Sequence, residues 1–185
     1  MFQAYLQHYG DERRELMDVE RTATVELNSK HTLAFKMDLV FRGPNGLEFL
    51  DYKTEKRGGQ NNSSESWAAR SQVSLYQWAA SKFYNEPVQA IWLDVVTRGS
   101  PKGQEGPSFR RERLIRTQAQ QAKAVETICW VADQIEVMQS TGFWPQNTEN
   151  CRDGWKRCDY FALCHLGRTD GNLKLYTAAV AYLDL

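Results

Sequence analysis

Three ionisable residues in one short stretch pose the first chemical question. In Thr32 to Thr54, TLAFKMDLVFRGPNGLEFLDYKT, the residues Asp38, Asp51 and Lys53 interrupt apolar runs. Asp51 and Lys53 are two apart, so on an extended chain both side chains leave the same face. Asp38 precedes them on what reads as a neighbouring strand and reaches that face if the pairing register allows. Two carboxylates close together repel unless a cation lies between them. Their oxygens are hard donors suited to Mg²⁺ or Mn²⁺, and an ammonium beside such an ion can meet an anionic substrate or orient water. A phosphodiester is the substrate that uses all three groups, because a metal lowers the pKa of bound water and offsets charge developing at phosphorus. The competing reading is a surface hairpin with solvated charges and a cross-strand ion pair. On the triplet alone the two weigh equally.

A second group shifts the weight. Glu55 to Ser66 is polar and rich in Gly, Asn and Ser, which predicts a loop. Trp67 to Tyr84 reads as an amphipathic helix with Ser64 or Ser66 as N-cap. Gln72 and Tyr76 are four apart and share one face of it. The ordered set is Asp38 on one strand, Asp51-Tyr52-Lys53 on the next and Gln72-x-x-x-Tyr76 on the following helix. It resembles the PD-(D/E)XK nuclease superfamily, in its RecB-like exonuclease branch. The resemblance implies a restriction-endonuclease-like core. In it Asp38, Asp51 and the backbone carbonyl of Tyr52 hold Mg²⁺ or Mn²⁺. Lys53 orients or deprotonates water, and Gln72 and Tyr76 position the lysine or the DNA backbone. It further implies a metal-dependent DNA nuclease, an exonuclease in first choice, that hydrolyses phosphodiester bonds in single-stranded DNA or at duplex ends. Repair, recombination and viral genome processing are all compatible settings. The family also carries an N-terminal helical region with a further Glu or His as a third metal contact. His8 stands in that part of the chain, although a lone histidine there is more often a packing or surface residue. The region before Asp38 is short for the family, so the chain reads as a minimal version, of viral or mobile-element type, or one completed by a partner subunit or a homo-oligomer. The rival reading is a nuclease-fold module that binds nucleic acid or a partner with weak or no catalysis.

The last third holds the other unusual feature. Cys151, Cys158 and Cys164 are spaced C-x6-C-x5-C. Clustered cysteines in an intracellular chain bind metal more often than they form disulfides. Thiolates are soft ligands for iron–sulfur clusters or Zn²⁺. By the same resemblance, several RecB-like nucleases fasten the C-terminus with a [4Fe–4S] cluster held by three C-terminal cysteines and one near the N-terminus. No cysteine precedes Asp38 here, so the fourth ligand is missing from the pattern. His165 offers a Cys₃His zinc alternative, bare thiols are a further one, and Cys129 reads as a buried core thiol.

The elements that must position these groups follow in order. FQAYLQHYGDERRELM predicts a short helix stopped at Gly10. Asp18 to Leu27 alternates as a strand, and Thr32 to Thr54 is a hairpin turning at Gly43-Pro44-Asn45-Gly46. The apolar run Gln89 to Arg98 predicts a buried central strand, and Phe109 to Arg116 an outer one. Thr117 to Ser140 predicts a long helix with Thr117 as N-cap and Ala124, Ile128, Val131, Ile135 and Met138 on one stripe. Strands, helix, strands, helix make an α/β architecture with a mixed central sheet flanked by helices and a C-terminal Cys-rich segment. One domain of 185 residues is expected, with a core over about 18–140, the Cys-rich segment over 143–166 and a tail over 167–185. Equal counts of 23 basic and 23 acidic residues leave only local basic patches for nucleic acid, such as Lys53 to Arg57 or Arg110 to Arg113. The alternation in the second patch favours a solvated strand face. Trp144, Trp155 and Tyr160 could stack on bases, with core packing the likelier use for most. No apolar run reaches bilayer length and no signal layout opens the chain, which predicts a cytoplasmic protein without membrane partners.

Overall fold

The computed structural model describes residues 1–10, 14–55, 69–99, 106–147, 151–153 and 156–176. They form two compact units, Met1–Ala132 and Asp133–Leu185, whose boundary falls inside one long helix.

The first unit opens with α1 (Phe2–Tyr9), which ends at Gly10. Strands β1 (Glu15–Glu26), β2 (Thr32–Gly43) and β3 (Gly46–Glu55) follow. Helix α2 (Ser71–Phe83), strands β4 (Val88–Thr97) and β5 (Ser108–Leu114) and helix α3 (Gln118–Thr141) complete it and lead onward. The five strands lie in the order β1-β2-β3-β4-β5. Only β3 and β4 pair in parallel, joined by the crossover helix α2. The expected mixed sheet with flanking helices is therefore present. The hairpin turns at Pro44 and Asn45, and Gly46 sits at φ 121, a conformation that side chains disfavour.

One face of the sheet packs against α2. Phe35, Met37, Val40, Leu47, Phe49, Ile91, Leu93 and Val95 join Val73, Ala79 and Ala80 of the helix in a single buried cluster. Met37 and Val40 are three apart, and a regular strand would send them to opposite faces. The register shows how both face inward. Every β1–β2 pair from Glu26↔Thr32 to Asp18↔Val40 is in step, except that Glu20 and Asp38 make no recorded pair. Glu20 lies at φ 52. The partner strand changes face at the same place. Ala23 and Val25 enter the core, and past Glu20 it is Asp18 that reaches it, accepting a hydrogen bond from Tyr84 Oη at 2.6 Å. Such an irregularity re-aims side chains locally, and here it is centred on Asp38.

The opposite face carries buried charges beside Leu50, and α1 packs over part of it. Fully buried Asp94 accepts from Tyr5 Oη at 2.5 Å and pairs with Arg111 at 2.6 Å. The Arg111 guanidinium also lies 3.9 Å from the centre of the Tyr9 ring. Nearby, Trp92 Nε1 donates to Glu48 at 2.9 Å, and Arg113 approaches the same carboxylate at 3.4 Å. The Arg110 to Arg113 patch thus serves internal pairing, with Arg110 bound to Glu112 at 2.5 Å.

Several predicted boundaries shift. β1 begins at Glu15 rather than Asp18, and α2 begins at Ser71, so Trp67 and both proposed caps, Ser64 and Ser66, lie outside the described residues. Thr117 does cap α3: its Oγ1 accepts from Gln120 N at 3.2 Å while Gln120 Oε1 accepts from Thr117 N at 2.9 Å. This reciprocal pair is a capping box. Of the predicted stripe on that helix only Ala124 is buried, and Val131 and Ile135 are exposed. Cys129 is half-buried, not a core residue. Among the described residues no helix is long and apolar enough to cross a membrane.

The second unit holds a short ladder of β6 (Arg152–Asp153) with β7 (Lys156–Arg157), then α4 (Phe161–His165) and α5 (Asp170–Leu173). Residues 177–185, about half of the expected tail, and Trp155 lie outside the described residues.

Candidate active site

Asp38, Asp51 and Lys53 converge. Leu39↔Leu50 is the last recorded pair of the β2–β3 ladder, which leaves Asp38 beside Asp51 where the regular pairing stops. There a side chain takes over the role of a backbone acceptor: Tyr52 N–H donates to Asp38 Oδ2 at 2.8 Å. That bond fixes the carboxylate against β3. Asp51 shares its face with Leu47 and Phe49, the face that α2 covers. It is only 6% exposed, and Lys53 Nζ lies 2.5 Å from its Oδ2. Burial pushes the Asp51 carboxyl above its ordinary range; the Lys53 ammonium pulls it back, and the Asp38 charge pushes it up again. The two carboxylates are thus close enough to feel each other.

Helix α2 closes the site. Gln72 and Tyr76, one turn apart, line a small hollow with Asp51, Val73, Ile91 and Leu93. The Tyr76 ring meets Phe49 edge-on at 5.6 Å and Phe35 at 6.4 Å, which holds its orientation. Asp51 thus shares a hollow with Gln72 and Tyr76 and pairs with Lys53, while Asp38 is bonded to the N–H of the next residue, Tyr52.

The donor set suits a divalent ion. It consists of oxygen donors, one of them a buried carboxylate destabilised by burial and by its neighbour, and a cation between the two would relieve both costs. His8, considered as a third contact, stands elsewhere. Its ring packs on Phe109 at 5.2 Å and on Tyr9 at 4.7 Å, among the residues of α1 that pack over part of the other face of the sheet.

In the second unit the ladder sets Cys151 beside Cys158, whose N–H donates to the Cys151 carbonyl at 3.0 Å. Cys151 Sγ also lies 3.4 Å from His165 Nε2, a contact absent from the iron–sulfur pattern. Cys164 is exposed and precedes His165 on α4. A single tetrahedral ion needs thiolates within about 4 Å of one another. The three sulfurs do not gather that tightly; a cluster several atoms across tolerates wider spacing. Of the candidate stacking residues, Tyr160 lies parallel to Tyr176 at 5.9 Å, and Trp144 is exposed.

Sequence reading did not find the Tyr5–Asp94–Arg111 and Trp92–Glu48–Arg113 groups. The signal was the alternation of arginines in SFRRERL opposite Asp94 on the neighbouring strand and Glu48 on the strand beyond it, which has meaning only once the strand order is known.

A mixed sheet that brings two aspartates and a lysine together, backed by a helix bearing Gln and Tyr, defines a class: nucleases of restriction-endonuclease-like fold. The chain belongs to the PD-(D/E)XK nuclease superfamily, whose family model matches residues 1–165. Two solved structures are similar in backbone. One is a protein from Eubacterium rectale provisionally named an exonuclease, at 14% identity and TM-score 0.47, covering 97% of this chain and 59% of that one. The other is the protein SSO0001, at 16% identity and TM-score 0.40, covering 70% of this chain and 55% of that one. The chain thus spans less than two thirds of either structure. No curated protein matches it.

Proposed function

We propose that this chain is a metal-dependent deoxyribonuclease of the RecB-like type, acting as an exonuclease on single-stranded DNA or duplex ends. The observation that carries this reading is the grouping around Asp51: Lys53 pairs with it, Asp38 is bonded to the adjoining Tyr52 N–H, and Gln72 and Tyr76 share its hollow. Asp38 and Asp51, with the Tyr52 carbonyl, would hold Mg²⁺ or Mn²⁺. When bound, the ion supplies Lewis acidity toward the phosphate and an activated water. Asp51 holds the Lys53 ammonium in place. Lys53 orients the attacking water and offsets charge gathering on the phosphate oxygens. Gln72 and Tyr76 steady the lysine or the DNA backbone by hydrogen bonds, and the apolar floor of Ile91 and Leu93 limits water around them.

Purified protein with Mn²⁺ or Mg²⁺ is expected to shorten labelled linear DNA. EDTA, Asp51→Ala and Lys53→Ala should each lower the rate by about 10²-fold or more. Equal rates for the wild type and both variants would defeat the reading and leave the nucleic-acid or partner-binding module. Release of mononucleotides from ends, and resistance of closed circles, separates exonuclease from endonuclease action.

The same reading extends to Cys151, Cys158 and Cys164 as ligands of an iron–sulfur cluster or zinc. Anaerobically purified protein with a cluster absorbs broadly near about 400 nm. A colourless protein carrying one zinc selects the alternative in which His165 joins the thiols.

A further inference from the structure

The net charge of the chain is zero, yet the charged residues that line one cleft of the first unit, among those described, are all cations. It lies between the start of α2 and the first turns of α3 and has a volume of about 350 Å³. Arg70, Arg116 and Lys123 line it together with Ser71, Ser74 and Gln120, and among the described residues no acidic one does. Arg116 is a built part of its wall. The Arg116 N–H donates to the buried Gln77 Oε1 at 2.9 Å, and its Nε donates to Ser74 Oγ at 3.1 Å. Its carbonyl accepts from Gln121 Nε2 at 3.1 Å. Gln77 is held in turn, donating to the Val88 carbonyl at 2.8 Å. A guanidinium fixed by its own backbone and Nε is preorganised for an anion, because little rotamer entropy remains to be lost. Burial lowers the Arg116 pKa, a desolvation that an anionic partner would offset. Lys123 pairs with Glu126 at 2.9 Å, but both side chains are about 70% exposed, so the pair is weak and readily exchanged for a phosphate.

The cleft and the candidate active site flank the same helix end. Gln72 and Tyr76 turn toward Asp51, while Ser71 and Ser74 turn toward the cleft. The separation is about one helix diameter, roughly 10 Å. Arg70 occupies the N-cap position between them.

We propose that this cleft is a second binding subsite of the proposed nuclease, where Arg70, Arg116 and Lys123 grip phosphates of the DNA strand away from the scissile bond. The assignment rests on the nuclease reading above and adds to it the path of the substrate. Phosphate contacts fix register and carry no base information, so the subsite takes any sequence.

The test is binding of a short labelled single-stranded DNA, followed by anisotropy in EDTA over a range of salt, alongside cleavage in Mn²⁺. Arg70→Ala and Lys123→Ala should each weaken binding about 3–10-fold and reduce the slope of log Kd against log salt by about 1. In cleavage they should raise KM more than they lower kcat. Lys82→Ala removes equal charge from the exposed last turn of α2 and should leave binding within about twofold. Wild-type affinity in both cleft variants, or an equal loss in Lys82→Ala, overturns the subsite, and the nuclease reading stands if Mn²⁺-dependent cleavage persists. The expected binding pattern without any metal-dependent cleavage supports the subsite and removes the nuclease reading. Absence of any DNA binding overturns both.

Discussion

Asp51, proposed as a metal ligand, is a carboxylate that burial destabilises. Its folded pKa is raised, so the folded state binds the proton more tightly than the unfolded chain does. Stability from this group is fully present below its unfolded pKa, near about 4, and is lost as pH rises through the folded value. In metal-free protein at neutral pH, Asp51→Asn should therefore raise Tm by about 2–4 °C, and the gain should vanish as pH falls below about 4. Calorimetry across pH checks this; an equal gain at all pH values would show that charge is not the cause. On the other face, the buried Asp94 accepts from Tyr5 and pairs with Arg111 through Oδ2. Arg111→Ala leaves that buried carboxylate without its cation and should cost about 3–5 kcal/mol. Tyr5→Phe, which removes one hydrogen bond, should cost about 1–3 kcal/mol by urea denaturation.

At the scale of elements, the face switch shared by β1 and β2 is what brings Asp38 to its neighbours. Glu20 adopts a left-handed backbone opposite it, and its carboxylate pairs with Lys36 on the surface. A β-branched side chain tolerates that conformation poorly. Glu20→Val should destabilise the protein by about 1–2 kcal/mol, whereas Glu20→Gly should be neutral or slightly stabilising. If the irregularity sets Asp38, the Val variant should also weaken Mn²⁺ binding by calorimetric titration, and unchanged metal affinity would separate the strand from the site. On α3, Thr117→Ala removes half of the capping box and should cost about 1 kcal/mol.

For the whole molecule, the core cluster and the candidate site share one wall. Phe49 is fully buried against Tyr76 and lies two residues before Asp51 on the same face of β3. Phe49→Ala should cost about 3–5 kcal/mol and loosen Tyr76 with it. Ligand linkage offers an independent measure. An ion that binds only the folded chain adds about 2.7 kcal/mol at a hundredfold excess over its Kd. Mn²⁺ should thus raise the Tm of the wild type and leave that of Asp51→Ala nearly unchanged. A rise of equal size in both would place the metal elsewhere.

Much of this was legible in residue order. Local rules suffice for the hairpin, whose turn residues and period-two pattern are self-contained, and for α3, whose capping box spans four residues. Residue type and spacing also pick out Asp38, Asp51 and Lys53, while Gln72 and Tyr76 join them through the resemblance to a nuclease family. The rest depends on neighbours distant in sequence. That Asp38 turns toward Asp51 follows from a break in pairing with β1, and pairing breaks are not written in either strand alone. The arginines of β5 looked like a solvated row until β4 placed Asp94 against them, and the cationic cleft exists because the start of α2 and the first turns of α3 border one hollow. Sequence by itself determined the elements and the candidate chemistry, since both follow from short-range geometry and residue type. Tertiary structure alone decided which charges are buried, which are paired and which face one another, because those depend on strand order and packing across long separations.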